Sequence, residues 1–294
     1  MKYEVKQNLK NFTKNFGAFF NNIGKTIASC LKIIVFSSLK VSFKSKRYPE
    51  LKTQKSCCVL GNGPSLKVDL DESRVPFESN DIFCVNLFCL SPYFTVIKPR
   101  FYLIADPMLF YPTNERAKEK TKILIEALQK VDWPMFFIIP SSCDMRGDVV
   151  NSINNNNITY LKINTTYIDG FKGFRHYLYK KRMGMPRCQT VVNMAITFCI
   201  NMGYENVYLY GVDHTWTKDL RVNDKNEVCY GDRHVYNTNL TTTTKDYNIA
   251  FLLTAFARMF SSHYSIEQYA RSRKVKVWNC AKESFVDAYE RLIN

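Results

Sequence analysis

The chain has 294 residues, 46% of them hydrophobic, and a formal net charge of +15. That is enough apolar material for one sizeable α/β domain with additions. Its ten cysteines are scattered without a Cys-x-x-Cys and its four histidines form no pair at ligand spacing, which argues against a disulfide framework or a structural zinc and for buried thiols in a reducing compartment.

Residues 1–55 carry twelve Lys/Arg against two acids, ten of the fifteen net charges, so the basic character belongs to an N-terminal arm. Within it Val5, Leu9, Phe12, Phe16, Phe19, Ile23, Ile27, Leu31 and Ile34 recur every three or four residues as one helical stripe, with lysines and asparagines elsewhere. Such a helix suits a membrane interface, where anionic lipid attracts each nearby lysine by about 1 kcal/mol. Lys25 and Lys32 interrupt the apolar positions, and no run of roughly 20 apolar residues is expected to cross a bilayer. No small-residue cleavage site follows, which argues against a secretory signal. The arm contains no nucleic-acid module. Residues 1–45 are therefore expected to bind an anionic membrane surface, with a polar linker over Ser42 to Lys55 leading to a domain at 56–294.

In chain order, Cys57–Leu60 is a short buried strand running into Gly61-Asn62-Gly63-Pro64-Ser65, a glycine turn and helix start. Turns of this form let backbone approach a ligand closely and aim N–H groups at an anion such as a phosphate. The third glycine of a dinucleotide fingerprint is absent. Strands follow at Ile82–Asn86, Phe101–Ala105, Met135–Ile139 and 158–163, with an exposed helix over 114–130. Thr190 or Gln189 caps a helix that Gly203 ends, and Val207–Tyr210 is a strand exiting into Gly211-Val212-Asp213-His214. Residues 213–245 read as a long irregular insertion, part of a lid over about 213–262. Helical periodicity returns over 246–272, a strand covers Val275–Trp278, and Ser284 is expected to cap a last helix.

Strands alternating with helices predict a Rossmann-like α/β domain with a largely parallel sheet. Ligands bind such sheets beyond the carboxyl ends of the strands. Asn62, Asn86 and Asp106 are thus expected to meet Asp213 and His214 in one crevice. Histidine is the usual proton carrier near neutral pH. His176 reads as a surface residue and His263 as packed. His214, which Asp213 beside it could orient, and His234, within Tyr230-Gly231-Asp232-Arg233-His234-Val235-Tyr236 of the lid, are the candidate bases.

Gly61-Asn62-Gly63-Pro64-Ser65-Leu66, Asn86-Leu87-Phe88, Asp106-Pro107 and Met202-Gly203-Tyr204-Glu205-Asn206-Val207-Tyr208-Leu209-Tyr210-Gly211-Val212-Asp213 resemble, in this order, the bacterial sialyltransferases of glycosyltransferase family 42. They are similar also to the related domain of flagellin-modifying transferases and archaeal pterin diphosphokinases. The resemblance covers roughly residues 56–294. It implies a Rossmann-like transferase with a lid, inverting and without a metal or other cofactor, using a CMP-activated nonulosonic acid as donor. It implies donor contacts from Gly61, Asn62, Gly63, Ser65, Asn86, Asp106 and Thr190. Tyr230, Arg233 and Tyr236 would hold the leaving phosphate, His234 would be the base, and Arg187 would meet the acceptor. The acceptor would be a surface glycan or glycolipid, met at the cytoplasmic face of a bacterial inner membrane. Asp106 stands where the resemblance implies Asn, and Thr190 where it implies Ser. The alternatives are an ATP-dependent diphosphokinase with Asp106 and Asp213 holding Mg²⁺, and a non-catalytic nucleotide-binding membrane protein.

Overall fold

The computed structural model describes residues 2–143, 148–231, 233–236, 241–244 and 247–293. Its strands are β1 (Ser56–Leu60), β2 (Asn80–Val85), β3 (Phe101–Leu103), β4 (Met135–Pro140), β5 (Ile158–Ile163), β6 (Asn206–Tyr210), β7 (Arg221–Val222), β8 (Val228–Gly231), β9 (Thr241–Thr244), β10 (Lys276–Asn279) and β11 (Glu290–Arg291). Its helices are α1 (Lys2–Phe36), α2 (Leu39–Lys44), α3 (Ser65–Asp71), α4 (Phe94–Ile97), α5 (Pro107–Phe110), α6 (Glu115–Gln129), α7 (Asp148–Ser152), α8 (Lys172–Lys180), α9 (Val191–Met202) and α10 (Ile249–Ser272).

The main sheet runs β11-β10-β6-β1-β2-β3-β4-β5, parallel throughout. Alternation along β1 explains its two-sided burial: Cys57 and Val59 enter one core with α9, and Cys58 and Leu60 the other with α6. The fold is therefore α/β and Rossmann-like, with helices on both faces. An aromatic ladder crosses the sheet, Phe83 stacked on Phe101 at 4.4 Å and Phe101 on Phe136 at 5.3 Å. Helix α9 is buried almost all round, as its continuous apolar sequence dictates. It starts with a capping box between Thr190 and Asn193 and stops at Gly203, whose φ of 77° suits glycine.

Several expectations are corrected. Ser42 to Lys55 is no linker: α2 and a 3₁₀ turn over Ser45–Leu51 occupy it, held by Tyr48 Oη donating to the Lys162 carbonyl. The lid is not irregular, since β7-β8-β9 form an antiparallel sheet whose Thr-rich strand has high β-propensity without apolar residues to announce it. No helix follows Ser284. Its hydroxyl donates instead to the Val212 carbonyl, and the chain returns to the sheet as β11. His176 is half-buried, its ring 5.5 Å from that of Tyr269.

The arm is docked on the domain by its polar side. Lys25 pairs with Asp169 at 3.0 Å, and Thr26 Oγ1 accepts from the Phe171 N–H at 3.3 Å. Ser29 Oγ donates to the Asp169 carbonyl and accepts from its N–H, both at 2.9 Å. Helix and turn touch at Gly170, whose φ is +113° and where a Cβ would lie 2.2 Å from Thr26 Oγ1. Much of the apolar surface from Phe16 onward consequently points outward, Phe16, Phe20, Ile27, Leu31, Ile34 and Val35 being 55–78% exposed, while Phe19 meets the Phe171 ring at 5.6 Å and Ile33 packs on the core. Asn15–Phe36, with a mean hydropathy of 1.2, is long and apolar enough to cross a membrane by length and composition, which corrects the expectation that no such segment exists.

Candidate functional site

Strand β1 is the topological switch point of the sheet. The chain runs from β1 to β5 on one side and places β6 on the other. A cavity of about 680 Å³ opens at the carboxyl ends there, as switch-point geometry dictates. Its wall comes from the exits of β1 (Asn62, Gly63), β2 (Asn86), β3 (Asp106) and β6 (Asp213, His214). The first turn of α9 (Thr190 to Val192), the lid (Trp216, Asp219, Tyr230, Arg233, His234) and α10 (Leu252, Phe256, Met259) complete it.

The β1 turn is built against β6. The Gly61 N–H donates to the Tyr210 carbonyl and the Gly63 N–H to the Gly211 carbonyl, both at 2.8 Å. A Cβ on Gly61 would lie 2.3 Å from Gly211 O, and one on Gly63 would lie 2.4 Å from Asp213 Oδ2. The close backbone approach that the glycines permit is therefore to the β6 exit. The anion that the turn receives is Asp213 itself: its carboxylate accepts from the Ser65 N–H at 2.9 Å and from the Ser65 hydroxyl. Burial raises the Asp213 pKa, opposed by these two bonds. Among the described residues no hydrogen bond joins Asp213 to the His214 ring, so Asp213 serves the Ser65 turn rather than orienting His214.

Asn62 Nδ2 donates to the Val85 carbonyl at 3.1 Å, while its Oδ1 is buried without a partner. Its backbone carbonyl accepts from the lid, through the Val235 N–H at 2.8 Å. Asn86 sits at φ 46° and His214 at φ 52°, left-handed backbone that non-glycine residues adopt at a cost of about 1–2 kcal/mol. Both are at strand exits and both line the cavity, the usual setting of stored strain. Asp106 is exposed at the cavity rim and caps α5, its Oδ1 accepting from the Met108 N–H at 2.9 Å. Thr190 caps α9.

In the lid, Arg233 is held by Asp219 at 2.9 Å, and a Cβ on Gly231 would lie 2.6 Å from Asp219 Oδ2. His234 is half-buried and stacks on Tyr236 with ring centroids 5.0 Å apart. Trp216 stacks on His214 at 4.8 Å and lies parallel to Phe256 at 6.0 Å, giving the cavity an apolar aromatic wall opposite its polar strand exits. Gly61, Ser65, Tyr236 and Arg187 are not part of the wall. Arg187 lies over the Tyr167 ring, 4.6 Å from its centroid. Among the described residues no three His, Cys, Asp or Glu side chains cluster as a metal site would require.

Behind the wall is a feature that sequence reading misses. His214 Nε2 is 3.1 Å from His263 Nε2, and His263 Nδ1 is 3.0 Å from the Tyr289 hydroxyl. The partners are 49 and 26 residues apart in sequence, so no local spacing announces them. The only hint is that Leu252, Phe256, Met259 and His263 share one face of α10. Burial pushes the His263 pKa down to about 3, and burial together with the His263 charge holds His214 well below the usual imidazole value. The fold keeps both rings neutral, whereas the unfolded chain takes up protons below about pH 6.5. The unfolded state then binds more protons, so stability is full above that pH and falls as pH drops through it, by roughly 1–2 kcal/mol per pH unit for each ring. Denaturation midpoints from pH 7 to 5 should show this slope, and His263→Gln should reduce it. An unchanged slope would show that the pair is not the source.

No family model matches the chain, and no curated protein matches it. Among solved structures it is similar to the MAf glycosyltransferase from Magnetospirillum magneticum AMB-1, at 12% identity and a TM-score of 0.48. The similarity covers 86% of this chain, which spans 38% of that protein's length.

Proposed function

We propose that the chain is a membrane-associated glycosyltransferase that moves a nonulosonic acid from a CMP-activated donor to a surface glycan, such as lipopolysaccharide, lipooligosaccharide or capsule. The observation that carries this reading is the single cavity that gathers Asn62, Asn86, Asp106 and Thr190 with the lid residues Tyr230, Arg233 and His234. Its mixed wall suits a nucleotide sugar: aromatic faces for the ring systems and polar strand exits for hydroxyl and carboxylate groups. In the proposed inverting step the acceptor oxygen bonds to the anomeric carbon as the carbon–phosphate-oxygen bond breaks. The acceptor proton passes to His234, and the electron pair leaves on the phosphate, toward Arg233 and Tyr230.

The test is thermal unfolding of the full chain with CMP, UDP, ATP or no ligand, with and without EDTA. CMP at about 100 times its Kd should stabilise by roughly 2.7 kcal/mol, with EDTA making no difference. Stabilisation by ATP alone and only with Mg²⁺ would replace the reading with the diphosphokinase one.

The outward stripe of α1 supports the membrane part. Because Lys25, Thr26 and Ser29 are bonded to the domain, the helix lies along it with its apolar face free to enter a bilayer interface at the cytoplasmic side. Ile27, Leu31 and Ile34 replaced together by Glu should abolish flotation with anionic vesicles while far-UV circular dichroism stays unchanged. Retained flotation of that variant would sink the membrane reading.

A further inference from the structure

We propose that His214 presents a fixed Nδ1–H donor to the cavity, set by His263 and Tyr289 behind it, and that this donor binds a phosphate oxygen. The inference rests on the glycosyltransferase reading for the molecule that carries the phosphate, but not for the donor itself.

The direction of the chain follows from counting protons. Tyr289 is buried, only 5% exposed, and among the described residues its hydroxyl has one hydrogen-bonding partner, His263 Nδ1. If that hydroxyl accepted, its own proton would be buried with no acceptor, a loss that folded proteins avoid. The hydroxyl therefore donates, and His263 Nδ1 is the bare nitrogen of a neutral ring. Its proton is then on Nε2, which faces His214 Nε2 at 3.1 Å. Two N–H groups cannot face each other, so His214 Nε2 is the acceptor. The neutral His214 ring must carry its proton on Nδ1.

Among the described residues that nitrogen has no hydrogen-bonding partner, and it is not among the buried unpaired atoms although the residue is only 7% exposed. It is accessible from the cavity that His214 lines. Stacking on Trp216 holds the ring, and the left-handed backbone at the β6 exit aims it. A neutral imidazole locked as a donor cannot act as a base through the same nitrogen. It can stabilise an anion without the desolvation cost of a buried charge, which is the arrangement that favours a leaving phosphate. His263 and Tyr289 touch no substrate and are positioning residues. The first turn of α9 lies in the same wall.

The experiment is long-range ¹H–¹⁵N correlation spectroscopy of the ¹⁵N-histidine-labelled full chain at pH 7.5, titrated with inorganic phosphate. Single histidine variants assign the signals. The expected result is a His214 ring protonated on Nδ1 and bare on Nε2, with the Nδ1–H resonance moving on phosphate addition. In Tyr289→Phe the His263 proton is no longer fixed. His214 should then populate the Nε2–H form, and phosphate should bind roughly tenfold or more weakly. His214 protonated on Nε2 in the unaltered chain overturns the proposal whether or not the variant folds. So does a Tyr289→Phe protein with unchanged tautomers, or a phosphate titration that leaves His214 unmoved. None of these readings depends on glycosyl transfer.

Discussion

Gly61→Ala lowers the stability of the domain by about 3 kcal/mol, on the order of a 10 °C fall in Tm. The added Cβ would lie 2.3 Å from the Gly211 oxygen and 2.9 Å from its carbonyl carbon, both backbone atoms of the β6 exit. No rotamer change relieves such a clash, so β1 and β6 must part where they meet. That strains two 2.8 Å hydrogen bonds, Gly61 N–H to Tyr210 O and Gly63 N–H to Gly211 O, and the Asp213 carboxylate that rests on Ser65. Gly173→Ala is the control. It lies within α8 with nothing within 4 Å of its would-be Cβ, so it should stabilise by about 0.5–1 kcal/mol. Urea midpoints of the two variants measure the difference in sign. A Gly61→Ala protein as stable as the unaltered chain would mean that the two strand exits are not in contact. Loss of nucleotide binding in that variant would be a consequence of the opened turn rather than of a lost ligand contact.

The same turn shows what the sequence could tell and what it could not. Continuous apolar strands with polar exits, Thr190 and Gly203 at the ends of α9, and the stripe of α1 are local signals, each with a local cause. They were enough to place the sheet and to name most of the strand-exit residues that line the cavity. The partner of each residue was not legible. Asp213 stands next to His214, and adjacency suggested that it orients the ring, yet its carboxylate bonds Ser65, 148 residues away. The resemblance implied an acceptor contact for Arg187, and nothing in the sequence announced that its guanidinium lies over the Tyr167 ring. Trp216, Phe256, His263 and Tyr289 carried no motif, because their relation arises only when α10 and the end of the chain pack beside β6. The arm was legible as amphipathic, but a stripe does not say which side faces the protein. Here the polar side does, because Asp169 and the carbonyl-rich turn at 168–171 offer partners that a hydrocarbon surface cannot.

On the proposed transferase reading, His234→Ala should lower kcat about 10²–10⁴-fold with donor affinity little changed. Of the two histidines on the cavity wall, His234 alone has the features that a base for the acceptor hydroxyl requires. It sits in the lid, half-buried, on the segment whose Val235 N–H docks on the Asn62 carbonyl, which ties it to the β1 turn at the cavity. Its stacking on Tyr236 fixes the ring plane. His214 is buried, which with the His263 charge holds its pKa well below the usual imidazole value, and is bonded through Nε2 to His263. Its loss should act on the phosphate: His214→Asn keeps an amide donor near the Nδ1 position, at a backbone conformation that asparagine tolerates, and should retain most donor affinity. His214→Ala should weaken donor binding roughly tenfold or more and lower kcat less than His234→Ala does. Transfer rates and donor Kd values for the three variants separate the roles. If His214→Ala is inactive with unchanged donor affinity and His234→Ala turns over normally, then His214 is the base, and the lid histidine has no part in the chemistry.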